Sequence, residues 1–229
     1  MTQFVSVSES GSDPNLIFGG TQDNGAPATA FAQSSGTWVN VNAGDDGITA
    51  VNPANSNEWF AATPPDSGSG VNLFRCANGI SCRTQDFQSD EVVDSNTLGG
   101  DTGAFYLPFI LDPQNSGTLI VGTCRVWRGP STGGNFQLLS PDFETGGSGA
   151  CSGSEVNLVR SIAAFTDSAG SQVIYAGTNG DGSLIAIGPP GGHVWVTTNA
   201  RSGPLSWADR TGAINPLGFP HLSNCAGCD

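Results

Sequence analysis

The chain has 229 residues, including 33 glycines and 14 prolines, and only 12% of its residues are charged. Its hydrophobic residues, 37% of the total, come in short and regularly spaced runs, which excludes a disordered chain. Lysine is absent and the net charge is -13, so the surface repels nucleic acid and anionic membranes. No apolar run is long enough for insertion into a membrane.

One turn-and-strand pattern recurs four times along the chain. Each copy starts with Asp or Asn followed by Pro or Ser, passes through a polar turn, and ends as an apolar strand closed by Thr. The copies are DPNLIFGGT (13–21), NPANSNEWFAAT (52–63), DPQNSGTLIVGT (112–123) and DSAGSQVIYAGT (167–178). Pro presets the φ angle of such a turn, and an Asp or Asn side chain bonds its backbone. Intervals of about 40 to 60 residues between copies predict a repeat protein.

Apolar runs around each turn complete a unit of four strands. The predicted first strands, which would be innermost, are QFVSVS (3–8), GITAVN (47–52), FYLPFIL (105–111) and VRSIAAFT (159–166). The predicted third strands are ATAFAQ (28–33), NLFRC (72–76), RVWRG (125–129) and HVWVTT (193–198). The predicted fourth strands are TWVNVN (37–42), TQDFQS (84–89), NFQLLS (135–140) and LSWADR (205–210). Gly or Pro interrupts every longer stretch, so no helical pattern emerges.

These units predict an all-β fold, a β-propeller of about four blades, each a four-stranded antiparallel sheet. The predicted blades cover about 1–46, 47–101, 102–155 and 156–211, and a tail with a CxxC pair covers 212–229. A β-sandwich is the alternative, but its strands would not carry the same turn motif four times. The five tryptophans, about one per blade edge, are expected to pack between blades.

Three predicted hairpins resemble the Asp box, the Ser-x-Asp-x-Gly-x-x-Trp motif of sialidase-like propellers. They are SSGTWVNV (34–41), STGGNFQLLS (131–140) and TTNARSGPLSW (197–207). Together with GGTQDNG (19–25) and AGDDG (43–47), they make the chain, up to about Thr211, similar to secreted bacterial sortilin-like or BNR-repeat glycosyl hydrolase-like proteins. The resemblance implies a fold more than a function, since such propellers include glycosidases, lectins, receptors and assembly factors.

Two consequences of the resemblance bear on function. Propeller glycosidases that cleave xyloglucan belong to the same broad group, but the motifs of their catalytic aspartates have no match here, so no catalytic residue is assigned. Members of the group usually close a ring of six or more blades. A four-bladed ring, a half-ring that pairs with a second copy, and a piece of a longer chain therefore all stay open.

Loops that join a fourth strand to the next first strand open on the same propeller face as the loops between second and third strands. The ligand-binding candidates on this face are Asp23, Asn24, Asp45, Asp46, Asp101, Arg125 and Trp127. Carboxylates in such a place suit ligand binding, acid–base work on a glycoside, or calcium, although Asp and Asn before Gly also simply shape turns. TNGDGS (178–183) weakly resembles a calcium loop, which makes Asn179 and Asp181 weak metal candidates.

Six cysteines favour an oxidising compartment and predict three disulfides. The expected pairs are Cys76–Cys82, Cys124–Cys151 and Cys225–Cys228, of which the last could instead cross-link subunits. We therefore expect an extracellular or cell-surface protein. Met1 leads straight into a strand pattern, so a removed leader, a cytosolic protein and a piece of a longer chain remain alternatives.

Three functional hypotheses follow. The first, which we prefer because no catalytic constellation is recognisable, is a secreted binding module or scaffold that takes a glycan or protein ligand on its acidic loop face. The second is a glycoside hydrolase-like enzyme that uses loop aspartates. The third is a structural subunit that assembles through open blade edges into a completed ring or a polymer. No cofactor is expected beyond calcium.

Overall fold

The computed structural model describes residues 3–65, 70–143, 145–151, 157–179, 192–202 and 205–211. Within these ranges sixteen strands form four antiparallel sheets of four strands each, and every sheet is built from strands that are consecutive in the sequence. The predicted tail over 212–229 lies outside the described residues. In the described ranges, no helix combines the length and the apolar character that a membrane span requires.

The sheets are numbered as blades 1 to 4 in chain order. Blade 1 contains β1 (Phe4–Glu9), β2 (Ile17–Thr21), β3 (Ala26–Thr29) and β4 (Val39–Asn42). Blade 2 contains β5 (Thr49–Asn52), β6 (Asn55–Ala62), β7 (Asn72–Cys76) and β8 (Glu91–Asp94), with a 3-10 turn (Gly79–Ser81) and helix α1 (Thr84–Gln88) between β7 and β8. Blade 3 contains β9 (Phe109–Asp112), β10 (Asn115–Gly122), β11 (Val126–Pro130) and β12 (Gln137–Leu138). Blade 4 contains β13 (Val159–Thr166), β14 (Gln172–Thr178), β15 (Val194–Thr197) and β16 (Ala208–Asp209).

The recurring turn has the same hydrogen bond in every blade. Its first side chain accepts a bond of 2.9 Å from the backbone N–H two residues later, and these side chains are Asp13, Asn52, Asp112 and Asp167. This bond closes the turn between the first and second strands, as the sequence predicts. The four antiparallel sheets of the described ranges confirm the predicted all-β fold with four blades.

Two strand predictions in blades 1 and 2 are wrong. The segment TQDFQS is not a fourth strand but helix α1, because the Asp86 carboxylate accepts a hydrogen bond from the Arg83 backbone N–H at 2.8 Å and caps the first turn. The fourth strand of blade 2 is β8, which buries Val92 and Val93. In blade 1 the third strand ends at Thr29, because the chain turns around the Phe31 carbonyl.

The hydrophobic core lies between the blades. First strands of neighbouring blades contact each other, β1 with β5, β5 with β9, and β9 with β13, so the sheets fan out from an inner row of strands. Between blades 1 and 2 the ring of Phe18 stacks on Trp59 at 4.7 Å and faces Phe87 of α1 at 6.1 Å. Between blades 2 and 3, Phe60 packs edge-on against Phe109 at 6.5 Å. A single sheet could not bury these rings alone.

Two of the predicted disulfides are confirmed. Cys76–Cys82 ties the end of β7 to the 3-10 turn. Cys124–Cys151 ties the β10–β11 loop to the segment that follows β12. The predicted pair of Cys225 and Cys228 lies outside the described residues.

We predict that Phe87→Ala lowers the free energy of unfolding by about 3–5 kcal/mol, because it removes a fully buried ring from the contact between blades 1 and 2. The matched change Phe31→Ala removes an exposed ring and should cost under about 1 kcal/mol. Urea unfolding followed by circular dichroism measures both. Equal losses for the two variants would contradict the assignment of the core to this contact.

Candidate functional site

Two loops on the predicted face of blade 1 are tied together. The backbone N–H of Asp23, in the β2–β3 turn, donates a hydrogen bond of 2.6 Å to Oδ1 of Asp45 in the β4–β5 loop. Gly25 donates to the carbonyl of Gly44 at 2.7 Å in the same way. Asp23 has a φ of 63°, a left-handed conformation that Asp tolerates better than most residues. Residues far apart in sequence therefore meet here, as the topology predicts.

The neighbouring side chains of these loops differ in accessibility. Asp23 and Asn24 are exposed, and Asp45 is half-buried. The Asn24 carbonyl accepts a hydrogen bond from the Asn40 amide at 2.9 Å, which holds the β2–β3 turn against β4. The face thus presents one exposed and one half-buried carboxylate side by side.

Asp46 has the opposite environment, with a side chain that is 0% exposed. Its Oδ1 accepts a hydrogen bond from the Asn42 amide at 2.9 Å, and its Oδ2 has no partner among the described residues. Burial raises the pKa of this carboxyl to about 7, the Asn42 bond opposes the rise, and the charge of Asp45 adds to it. Asp46 therefore supports the loop from inside and does not reach a ligand.

A cleft of about 390 Å³ opens next to this pair of loops, between blades 1 and 2. Its walls come from the β4–β5 loop, the β6–β7 loop, β7, α1 and the segment before β9. The lining residues are Asn42, Ala43, Gly44, Asp45, Thr63, Pro64, Pro65, Asn72, Phe74, Phe87, Gln88 and Phe105. The cleft combines one carboxylate, three side-chain amides and three aromatic rings.

The β8–β9 loop forms the rim of the cleft. Phe105 is exposed and packs edge-on against Tyr106 at 4.9 Å. The Tyr106 hydroxyl donates a hydrogen bond of 2.9 Å to the Gln22 side chain, so a loop from blade 2 is anchored on blade 1. Burial, with smaller effects from the charges of Asp45 and Asp23, raises the pKa of Tyr106. The phenol therefore stays protonated and keeps donating at neutral pH.

Sequence reasoning missed Phe105 and Tyr106 as site residues, because FYLPFIL was predicted to be one strand. In the structure β9 begins only at Phe109. The available signal was Pro108, which lacks the N–H that a strand interior needs and so separates the first aromatic pair from the strand.

Three further candidates, Asp101 in the β8–β9 loop, Arg125 in the β10–β11 loop and Trp127 in β11, lie together but inside the protein. Arg125 binds both carboxylate oxygens of Asp101, at 3.0 and 2.5 Å, and its guanidinium lies 4.8 Å from the centre of the Trp127 ring. The Trp127 indole N–H also donates to Asp101, at 2.9 Å. All three are buried, so their predicted place on an accessible surface is corrected. Their groups satisfy each other and hold the interior of blade 3 together.

In the described ranges, one group of side chains lies close enough together to be considered as metal ligands, and it consists of Asp101, Cys124 and Cys151. The two sulfurs are bonded to each other and therefore offer no thiolate. The carboxylates of Asp23, Asp45 and Asp46 do not converge into such a group. Asn179 is exposed just after β14, whereas Asp181 lies outside the described residues. Calcium binding stays a prediction.

Comparison with known proteins shows the fold alone. No protein family and no curated protein matches the chain by sequence. A GH74 enzyme from Niastella koreensis is 15% identical with a TM-score of 0.55, over 91% of this chain and 30% of that one. A GH74 xyloglucanase from Xanthomonas campestris is 16% identical with a TM-score of 0.51, over 89% of this chain and 24% of that one. The chain thus spans less than a third of the length of either enzyme.

These structures and the four sheets show a β-propeller fold, with four blades in the described part of the chain. A β-propeller domain of Cps50 (Swd1) from Myceliophteria thermophila is 11% identical with a TM-score of 0.47, over 91% of this chain and 57% of that one. The Asp-box and sortilin type is not among these neighbours and stays a prediction.

We predict that Asp101→Asn lowers the free energy of unfolding by about 3–5 kcal/mol, because it leaves the buried Arg125 cation without its counter-charge. Asp90→Asn breaks a partly exposed ion pair with Arg75 and should cost under about 1 kcal/mol. Urea unfolding at pH 7 separates the two. A loss at Asp101 no larger than at Asp90 would contradict a structural role for the network.

We predict that Asp46 makes the protein less stable as the pH rises. The folded-state pKa of about 7 lies above the usual 3.8, so the unfolded chain ionises first and the stability is lost between about pH 4 and pH 7. Asp46→Asn should remove this loss and be more stable than wild type at pH 8 by about 1–4 kcal/mol. Thermal unfolding between pH 4 and 8 measures it, and Asp23→Asn, an exposed control, should keep the wild-type slope. If the stability of Asp46→Asn fell with pH as steeply as that of wild type, Asp46 would not be the group responsible for the pH dependence.

Proposed function

We propose that this chain is a carbohydrate-binding module that takes a neutral glycan in the cleft between blades 1 and 2 without cutting it. The observation that carries the proposal is the lining of the cleft, where the exposed ring of Phe105 stands near the polar groups of Asp45, Asn72 and Gln88. Sugar hydroxyls donate to carboxylate and amide oxygens, and an aromatic face covers the apolar C–H surface of a pyranose ring.

The charge of the cleft favours a neutral glycan over an acidic one. Its described lining contains Asp45 and no arginine or histidine. Asp23 lies next to Asp45, and the whole chain carries a net charge of -13. An anionic sugar would meet repulsion without a cation to balance it.

The structural neighbours suggest which glycan to try first. One of them is named as a xyloglucanase, and xyloglucan is a neutral polysaccharide. The likeness is one of fold, so xyloglucan oligosaccharides serve as the first probe and not as an assigned ligand. Cellulose and mannan oligosaccharides, also neutral, complete the panel.

Two disulfides in the described ranges fit an oxidising compartment, and we infer an extracellular or cell-surface location. This is where a binding module would meet plant or microbial polysaccharides.

Glycoside hydrolysis is the second candidate. It needs a pair of carboxylates about 5 to 9.5 Å apart across the scissile bond. Asp46 has the raised pKa of a general acid, but its buried side chain cannot reach a substrate. Among the described aspartates predicted on this face, the enzyme hypothesis therefore depends on Asp23 and Asp45, whose linking hydrogen bond uses the Asp23 backbone.

Calorimetric titration with the oligosaccharide panel tests the proposal. We expect binding that weakens by about tenfold or more in Phe105→Ala and in Asp45→Asn, since each removes a direct contact. Phe31→Ala, an exposed ring in the β3–β4 loop at the other end of blade 1, should bind like wild type.

The same titrations have two adverse outcomes. If no oligosaccharide of the panel gives a heat of binding at millimolar concentration, the carbohydrate-binding proposal is refuted. If the wild-type protein releases reducing ends from the oligosaccharides and Asp45→Asn does not, the chain is a glycosidase and not a binding module.

A further inference from the structure

One position of the second strand faces the next blade in blades 1, 2 and 3. It lies three residues before the threonine that closes the recurring motif. In blade 1 this residue is Phe18, which stacks on Trp59 of blade 2, and in blade 2 it is Phe60, which contacts Phe109 of blade 3. In blade 3 it is Ile120, which lies in a hydrophobic cluster with strands of blade 4. All three side chains are 0% exposed.

The equivalent residue of blade 4 is partly exposed and contacts no further blade in the described part of the chain. Tyr175 is 39% exposed, and its ring stacks at 6.2 Å on the exposed Phe165 of β13. Ala163 pairs with Tyr175 across the two strands and is exposed as well. Blade 4 therefore exposes Tyr175, Phe165 and Ala163 at positions where blades 1 to 3 are covered by their successors, whereas Val173 and Val196 on the same face are buried.

Blade 1 has the complementary surface uncovered. The residue before the shared position faces the preceding blade and is 0% exposed in the other blades, as Trp59, Leu119 and Ile174. On this side of blade 1, the exposed Phe4 lies over Gly19 and contacts the exposed Trp38 at 5.6 Å. Val7, on the same strand, is also exposed.

The two free faces are thus the two halves of one blade-to-blade contact. Their exposure shows that they are not packed on each other within the described chain. A contact between the blade 4 face of one copy and the blade 1 face of another repeats the packing that already joins the four blades. Such a head-to-tail contact closes into a ring when its rotation allows. Two copies would supply eight blades, within the usual range of about four to eight.

We propose that two copies of this chain associate head to tail, with Tyr175 and Phe165 of each copy packed against Phe4, Val7 and Trp38 of the other. The inference is independent of the glycan cleft, which lies between blades 1 and 2 of one copy. A dimer of this kind buries aromatic rings that are otherwise exposed on the outer faces of the four described blades.

Sedimentation equilibrium from about 0.1 to 100 micromolar tests the proposal. We expect wild type to have twice the monomer mass of 23.3 kDa. Tyr175→Asp and Val7→Asp should each weaken association by more than about tenfold, because each places an unpaired charge in the contact. Phe105→Asp, an exposed aromatic outside both faces, should dimerise like wild type, and circular dichroism checks that every variant folds.

Mixing the two weakened variants identifies the geometry. The Val7→Asp chain keeps its blade 4 face and the Tyr175→Asp chain keeps its blade 1 face, so an equimolar mixture can form one intact contact. We expect the mixture to contain a heterodimer at concentrations where each variant alone is monomeric. No rescue in the mixture would overturn the head-to-tail contact.

Two other results would overturn the proposal. One is a monomeric mass for wild type over the whole concentration range. In that case, acetylation of Tyr175 shows what the face of blade 4 contacts in the monomer. If Tyr175 resists acetylation, another part of the same chain covers the face, and if Tyr175 reacts readily, the face is exposed to solvent. The other is a dimer that survives both charge substitutions, since the copies would then meet through another surface.

Discussion

Packing of aromatic rings between adjacent sheets is the interaction on which the rest of this structure depends. Each blade has four short strands and apolar side chains on both faces, so a blade becomes stable only when a neighbour covers it. Phe18, Trp59 and Phe87 fill the space between blades 1 and 2, and Phe60 and Phe109 continue the core between blades 2 and 3. The same requirement is the physical basis of the proposed contact between the exposed faces of blades 4 and 1 in two copies of the chain.

The cleft owes its position to this stacking. Once blades 1 and 2 pack together, the loops at one end of both sheets meet, and the Asp23–Asp45 and Tyr106–Gln22 hydrogen bonds join them. The groups that line the cleft then come from five separate parts of the chain. A rigid core thus supports a loop surface whose chemistry can vary without cost to the fold.

Buried charge is used for structure at two places near the same face. Asp101 and Arg125 neutralise each other inside blade 3, and Trp127 and the Cys124–Cys151 disulfide surround them. Asp46 has no cation, so burial favours its protonated form. Both aspartates look alike in sequence, each next to glycine in a loop before a first strand, yet one is paired and the other stays neutral at mildly acidic pH.

Local features of the sequence were sufficient for the repeat, the turns, most strands and the Cys76–Cys82 disulfide, because Asx turns, short apolar runs and a cysteine spacing of six act within a few residues. The Cys124–Cys151 pair, 27 residues apart, followed instead from the predicted order of strands in blade 3. They failed at TQDFQS, where a capped helix buries Phe87, and at FYLPFIL, where Pro108 separates a loop from a strand. Only the tertiary structure decided which aspartates are accessible to solvent. It also decided that Tyr175 is partly exposed whereas Phe18 and Phe60 are buried. Burial depends on what packs over a side chain, and those neighbours lie tens of residues away in the chain.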